Sequence, residues 1–135
     1  MIRLLVVADS GSVMSAITQS LQRLRGVEIV AYASGRARLD AVVESVDPDV
    51  VLIDEMRRSG TAAVRIAEVR NALPGAAVIG LTDRLESPWV IDAMRAGAST
   101  VVPCDLDPST LEAVLREVAD TVPVAIHANA RRAAA

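Results

Sequence analysis

The sequence predicts an α/β protein built on one doubly wound, flavodoxin-like sheet of five parallel strands. Apolar runs rich in β-branched residues, at 4–8, 50–53, 78–81 and 100–103, are typical of strands buried on both faces. Segments of helical length separate these runs. Right-handed crossovers then place helices on both faces of the sheet, and the order 2-1-3-4-5 makes the first and third strands neighbours.

Five helices are predicted between and after the strands, because apolar residues recur at helical spacing. The first two are expected to end near Gly26 and Pro48, and the third at Pro74. The fourth is expected to begin with Ser87 as its N-cap and Pro88 as its first residue. The apolar stripes of the first four helices are Val13, Ile17, Leu21 and Leu24; Leu39, Val42, Val43 and Val46; Ala62, Ile66, Val69 and Leu73; and Val90, Ala93 and Met94.

The fifth helix is expected to begin in the same way, at Asp107 and Pro108. Its apolar stripe consists of Leu111, Val114, Leu115 and Val118. The remaining strand is expected at 28–33, and Pro103 suits an edge strand, where a missing N–H is tolerated. Residues 1–121 therefore form one domain in this interpretation, and 122–135 form a C-terminal tail or the stub of a linker.

Four strands are each followed, or ended, by a side chain that carries oxygen or sulfur. These are Asp9, Asp54, Thr82 and Cys104. The carboxyl ends of parallel strands form the ligand edge of an open α/β sheet, so these four side chains are expected to converge there. Two carboxylates on neighbouring strand ends are suited to Mg²⁺, which also accepts a backbone carbonyl such as that of Met56.

Composition narrows the class of protein. The chain has 135 residues, a formal charge of −3 and fourteen cationic side chains, all of them arginine. This acidic balance argues against direct binding to nucleic acid or an anionic membrane. No apolar stretch approaches the roughly 20 residues of a membrane span, so a cytoplasmic protein is expected.

The chain resembles the receiver domains of bacterial two-component response regulators. The resemblance rests on residues 2–9, 48–54, 78–82 and 93–99 and extends from Met1 to about Thr121. It implies a signalling module rather than an enzyme, with a histidine kinase or phosphotransfer protein as partner and a homodimer through the fourth helix, fifth strand and fifth helix.

The resemblance also implies roles for three residues. Asp54 accepts a phosphoryl group, Asp9 helps to hold Mg²⁺, and Thr82 reads the phosphoryl group by a hydrogen bond. Phosphoryl transfer depends mostly on positioning and electrostatic stabilisation, which such a set supplies.

The sequence departs from the receiver pattern mainly around the switch. Ala8 replaces the first of two adjacent acids, Val101 replaces an aromatic residue, and Cys104 replaces a lysine. Further along, Arg58 and Ala62 replace the proline and glycine of the loop after Asp54. Arg84 is a conceivable substitute cation, although a solvated loop arginine is the more common case.

Two alternatives stay open. The departures favour a pseudo-receiver that binds partners or dimerises without phosphorylation. The turn at Ser10-Gly11-Ser12, before the first helix, is compatible with a flavodoxin-like nucleotide or flavin binder. The scarcity of aromatic residues to cover a flavin ring counts against that second alternative.

Overall fold

A computed structural model describes residues 1–9, 11–55 and 61–121 of the chain. The strands are β1 (Ile2–Ala8), β2 (Val27–Ser34), β3 (Val50–Asp54), β4 (Ala77–Thr82) and β5 (Thr100–Pro103). The helices are α1 (Gly11–Leu21), α2 (Leu39–Val46), α3 (Ala62–Ala72), α4 (Trp89–Ala96) and α5 (Pro108–Thr121). The predicted tail, 122–135, and the residues Met56 and Arg58 lie outside the described residues.

The predicted sheet order is confirmed. The five strands are parallel and lie in the order β2-β1-β3-β4-β5. The first and third strands are neighbours, with Val7 opposite Ile53. Pro103 lies on the edge strand β5, as predicted, opposite Thr82 of β4.

Both faces of the sheet are buried, which explains the continuous apolar runs. Successive strand side chains point to opposite faces. On one face, Leu5 and Val7 pack in a core with residues of α2, α3 and α4. On the other face, Leu4 and Val6 pack with residues of α1 and α5, among them Leu115.

The structure corrects two expectations about α4. Its only buried residue is Ala93, whereas Met94, predicted for the apolar stripe, is 47% exposed. No side-chain hydrogen bond caps the helix at its N-terminus. The Ser87 hydroxyl instead donates to Glu55 at 3.0 Å, so it is drawn towards the end of β3.

The helix α5 begins as predicted, with Asp107 as its cap. The carboxylate accepts hydrogen bonds from the Thr110 backbone N–H at 3.2 Å and from the hydroxyls of Ser109 and Thr110, both at 2.6 Å. These bonds, led by that from the Ser109 hydroxyl, lower the pKa of Asp107 from 3.8 to about 2. The charged carboxylate is thus the form that caps the helix.

We expect the stability contributed by this cap to depend on pH. Because the folded pKa is depressed, the contribution is complete above the unfolded value of 3.8 and is lost as pH falls towards 2. Urea unfolding of Asp107→Ala should therefore show a deficit against the natural chain at neutral pH that narrows in acid. The neighbouring exposed Asp105→Ala is the matched control, and an equal deficit in both variants would contradict the capping role.

Candidate functional site

The four predicted residues lie at one edge of the sheet. Asp54 ends β3 opposite Leu81, and Thr82 ends β4 opposite Pro103. Asp9 follows β1, whose last residues pair with β2 and β3. Asp9 and Asp54 therefore extend from the carboxyl ends of adjacent strands, and both are partly exposed. The sheet order thus places all four residues at the carboxyl ends of its strands.

Cys104 lies at this edge, immediately after β5. Its backbone N–H donates to the Thr82 carbonyl at 2.8 Å. The residue is exposed overall, but partial burial of the thiol raises its pKa to about 11, aided by the negative charges of Asp54, Asp83, Asp105 and Glu55. The thiol is thus neutral at pH 7, and this position contributes no cation to the site.

Thr82 is the most constrained of the predicted site residues. It is fully buried, and its hydroxyl oxygen lies within hydrogen-bond distance of four polar atoms. These are Glu55 Oε2 at 3.1 Å, the Arg84 carbonyl at 2.9 Å, the Arg84 backbone N–H at 3.1 Å and Trp89 Nε1 at 3.2 Å. The hydroxyl is therefore fully engaged by the protein.

Glu55 is a member of the site that the sequence analysis missed. It follows Asp54 directly, and its two carboxylate oxygens accept separate hydrogen bonds, from Thr82 at 3.1 Å and from Ser87 at 3.0 Å. The carboxylate thereby joins the ends of β3 and β4 to the start of α4. An acid just beyond a strand end suggests a solvated loop, so periodicity offered no signal for this role.

Trp89 is the second missed member. Its indole N–H donates to Thr82, and its ring lies over Gly80: a Cβ added there would be 2.9 Å from Trp89 Cη2. The same added atom would be 3.2 Å from Val101 Cγ2. The indole thus occupies the space beside Gly80 and Val101.

Arg84, the conceivable substitute cation, contacts this site through its backbone. Its backbone N–H and carbonyl bond the Thr82 hydroxyl, while the residue as a whole is exposed. Its backbone therefore contributes to the site more directly than its charge.

The side chains at this edge include two carboxylates for a small divalent cation, one fewer than the receiver pattern has. Among the described residues no group of three or more His, Cys, Asp or Glu side chains is arranged to hold a metal ion. Ala8, where a further acid was expected, is buried and apolar. Two carboxylates, Asp9 and Asp54, are present on adjacent strand ends, and Mg²⁺ sites use one or two carboxylates with waters and phosphate oxygens. These two residues fit that requirement.

No protein-family model matches the sequence. A curated relative, the protein-glutamate methylesterase/protein-glutamine glutaminase 4 of Geobacter metallireducens, is 30% identical over 105 residues, which are 76% of this chain. The chain spans only 30% of the length of that relative. None of the helices in the described ranges is long and apolar enough to cross a membrane.

Solved structures show the fold. The signal receiver domain of the response regulator NarL from Mycobacterium tuberculosis superposes with a TM-score of 0.77 at 22% identity, covering 89% of this chain and 97% of that one. A LuxR-family two-component response regulator from Aurantimonas sp. SI85-9A1 gives a TM-score of 0.78 at 21% identity, covering 98% and 99%. The protein therefore has the fold of the receiver domains of two-component response regulators.

Proposed function

We propose that this chain is a receiver module of phosphorelay signalling in which Asp54 accepts a phosphoryl group from a histidine kinase or phosphotransfer protein. The observation that carries the proposal is the meeting of Asp9, Asp54 and Thr82 at the carboxyl edge of a receiver-type sheet. Residues 1–121 form the receiver in this proposal, and 122–135 form a tail or linker stub.

The proposed reaction is an exchange at phosphorus. A carboxylate oxygen of Asp54 bonds to phosphorus as the phosphorus–nitrogen bond of a phosphohistidine breaks, and the electron pair of that bond stays on the imidazole. Asp54 is suited to this because it is partly exposed at the edge of the sheet. Thr82 is proposed to read the product through its hydroxyl.

Asp9 and Asp54 would hold Mg²⁺, together with the backbone carbonyl of Met56. When bound, the cation would neutralise charge that develops on the transferring phosphoryl oxygens. Without it, Asp9 and Asp54 would repel the incoming phosphoryl group, since all three carry negative charge.

The proposed output is a change in a protein–protein interface, with no chemistry of the chain's own beyond accepting the phosphoryl group. The face of α4, β5 and α5 is the proposed surface for a homodimer or another partner. Leu85, Ile91 and Met94 are 53%, 59% and 47% exposed, so α4 and the loop before it carry apolar surface for a partner to cover.

The first test is the mass of the intact protein after incubation with acetyl phosphate and Mg²⁺. One added phosphoryl group is expected, because the phosphorus–oxygen bond of acetyl phosphate breaks and acetate leaves as Asp54 is phosphorylated. Asp54→Asn should remain at its original mass. Asp83→Asn, at the same edge, serves as the control and should gain the group. An unchanged mass for the natural chain would reject the proposal.

One observation favours a second candidate, the pseudo-receiver that binds partners without phosphorylation. Cys104 stands where the receiver pattern has a lysine, and a thiol supplies no cation beside Asp54. Partner binding that persists in Asp54→Asn, with no phosphoryl group gained by the natural chain, would select this candidate. The comparisons do not favour the flavodoxin-like nucleotide or flavin binder.

A further inference from the structure

The Thr82 hydroxyl has no hydrogen-bonding capacity left over for a phosphoryl oxygen. A hydroxyl has one proton to donate and two lone pairs that accept. The Arg84 backbone N–H and the Trp89 indole N–H occupy the two accepting positions, at 3.1 and 3.2 Å. The single proton is shared between Glu55 Oε2 and the Arg84 carbonyl, at 3.1 and 2.9 Å. Any new acceptor must therefore displace one of them.

We propose that Glu55 is a positioning residue that holds Thr82 and the start of α4 in the unphosphorylated arrangement, and that a phosphoryl group on Asp54 must take the Thr82 proton from it. The inference rests on the proposed phosphorylation of Asp54 and assigns a role to a residue outside the predicted site. Of the two competing acceptors, Glu55 is the charged one, and hydrogen bonds to ionised groups are the stronger.

Charge makes Glu55 the acceptor that phosphorylation would displace. It is the residue next to Asp54, and a phosphoryl group brings about −1.5 to −2 charges to that neighbour. The carboxylates of this edge lie close together, since Asp54, Asp83, Asp105 and Glu55 all add to the effect of burial in raising the pKa of the one Cys104 thiol. Added negative charge on Asp54 therefore repels Glu55, while it attracts the Thr82 proton.

The release of Glu55 would reach α4 by two routes. Glu55 Oε1 accepts from Ser87 at 3.0 Å, two residues before α4 begins, so its displacement frees that loop. The Thr82 oxygen accepts from Trp89 at the start of α4, so a side-chain rotation that carries this oxygen towards Asp54 breaks the indole hydrogen bond. Both routes end on the helix that carries exposed Ile91 and Met94.

The fluorescence of Trp89 can be used to test this proposal, because Trp89 is the only tryptophan in the chain. Its emission should change when the full chain is titrated with beryllofluoride and Mg²⁺, a mimic of the phosphoryl group. In Glu55→Gln the beryllofluoride concentration at the midpoint of this titration should fall about tenfold. The reason is that a neutral amide holds the Thr82 hydroxyl more weakly than a carboxylate does. Glu55→Ala, which removes the acceptor, should lower the midpoint at least as far.

Removing an acidic side chain would by itself favour binding of the beryllofluoride anion, so a control matched for charge is needed. Asp83→Asn removes the same charge at the same edge and should shift the midpoint less than about threefold. A Thr82→Val background gives a second control: there Glu55→Gln should shift the midpoint no more than Asp83→Asn does, because the contested proton is gone and only the loss of charge is left. Equal shifts in Glu55→Gln and Asp83→Asn, or an undiminished effect in Thr82→Val, would overturn the proposal.

The two proposals fail in different ways. If the natural chain gains no phosphoryl mass from acetyl phosphate, phosphorylation of Asp54 itself is wrong. If the mass increases but Trp89 emission stays constant, Asp54 is phosphorylated and the role assigned to Glu55 is wrong.

Discussion

Cys104→Lys is expected to strengthen the response of this domain to a phosphoryl group more than any other single substitution. Burial and, after it, the carboxylates of Asp54, Asp83, Asp105 and Glu55 raise the thiol pKa, and those same carboxylates would attract an ammonium group at this place. The resemblance to receivers implies a lysine here. A hydrogen bond to a charged group contributes about 1.5–3 kcal/mol, which corresponds to about a ten- to hundredfold lower midpoint for beryllofluoride.

The measurement is the Trp89 emission titration, run on the natural chain and the variant together. Cys104→Met is the matched control, since it lengthens the side chain without adding charge. The difference between Lys and Met should shrink as salt is raised, because the site lies at an exposed edge where ions screen it. If Cys104→Lys and Cys104→Met had equal beryllofluoride midpoints at low salt, the prediction that a positive charge is missing at this position would be wrong.

Gly80→Ala is expected to destabilise the fold although alanine ordinarily improves on glycine. Where the backbone and space permit, Gly→Ala stabilises by about 0.4–1 kcal/mol through the unfolded state. Here the new Cβ would be 2.9 Å from Trp89 Cη2 and 3.2 Å from Val101 Cγ2, closer than ordinary contacts. Overpacking of this kind costs about 1–3 kcal/mol, so the balance is unfavourable.

Two measurements check this substitution. Urea unfolding followed by circular dichroism should give a lower free energy of unfolding for Gly80→Ala. Trp89 emission should shift to the red as the indole moves outward and loses its hydrogen bond to Thr82, now 3.2 Å long.

The second substitution Trp89→Phe provides the control for Gly80→Ala. It removes the ring atoms that the new Cβ would meet, so the double variant should lose less stability relative to Trp89→Phe alone. If Gly80→Ala costs the same in both backgrounds, the indole is not the group that requires glycine at this position.

Two of the departures from the receiver pattern, Val101 and Cys104, lie beside one hydrogen-bonded group. This group consists of Glu55, Thr82, Ser87 and Trp89. Val101 is smaller than the aromatic residue expected on β5, and the Trp89 indole from α4 lies beside it, over Gly80. Cys104 replaces the lysine of the receiver pattern, and its neutral thiol adds no positive charge to the edge. The neighbours of Thr82 in this chain are thus an acid and an indole, both linked to α4.

Sequence pattern was sufficient for the layout of the protein. Strands buried on both faces require continuous apolar runs, so the five strands could be predicted from the sequence. An N-cap requires a particular side chain, so the Asp107 cap could be predicted as well. The chain order of strands and helices, combined with right-handed crossovers, then placed Asp9, Asp54, Thr82 and Cys104 at one edge.

The contacts made at that edge depended on the folded structure. Ser87 has the chemistry of an N-cap, yet its hydroxyl bonds Glu55 across 32 residues of chain. Met94 fits a helical stripe, yet α4 buries only Ala93. Periodicity reports which face of an element is apolar, whereas a side-chain hydrogen bond depends on the register and packing of elements far apart in sequence. That is why Asp54 could be singled out from the sequence, while Glu55 and Trp89 emerged only from the packing of α4 on β4.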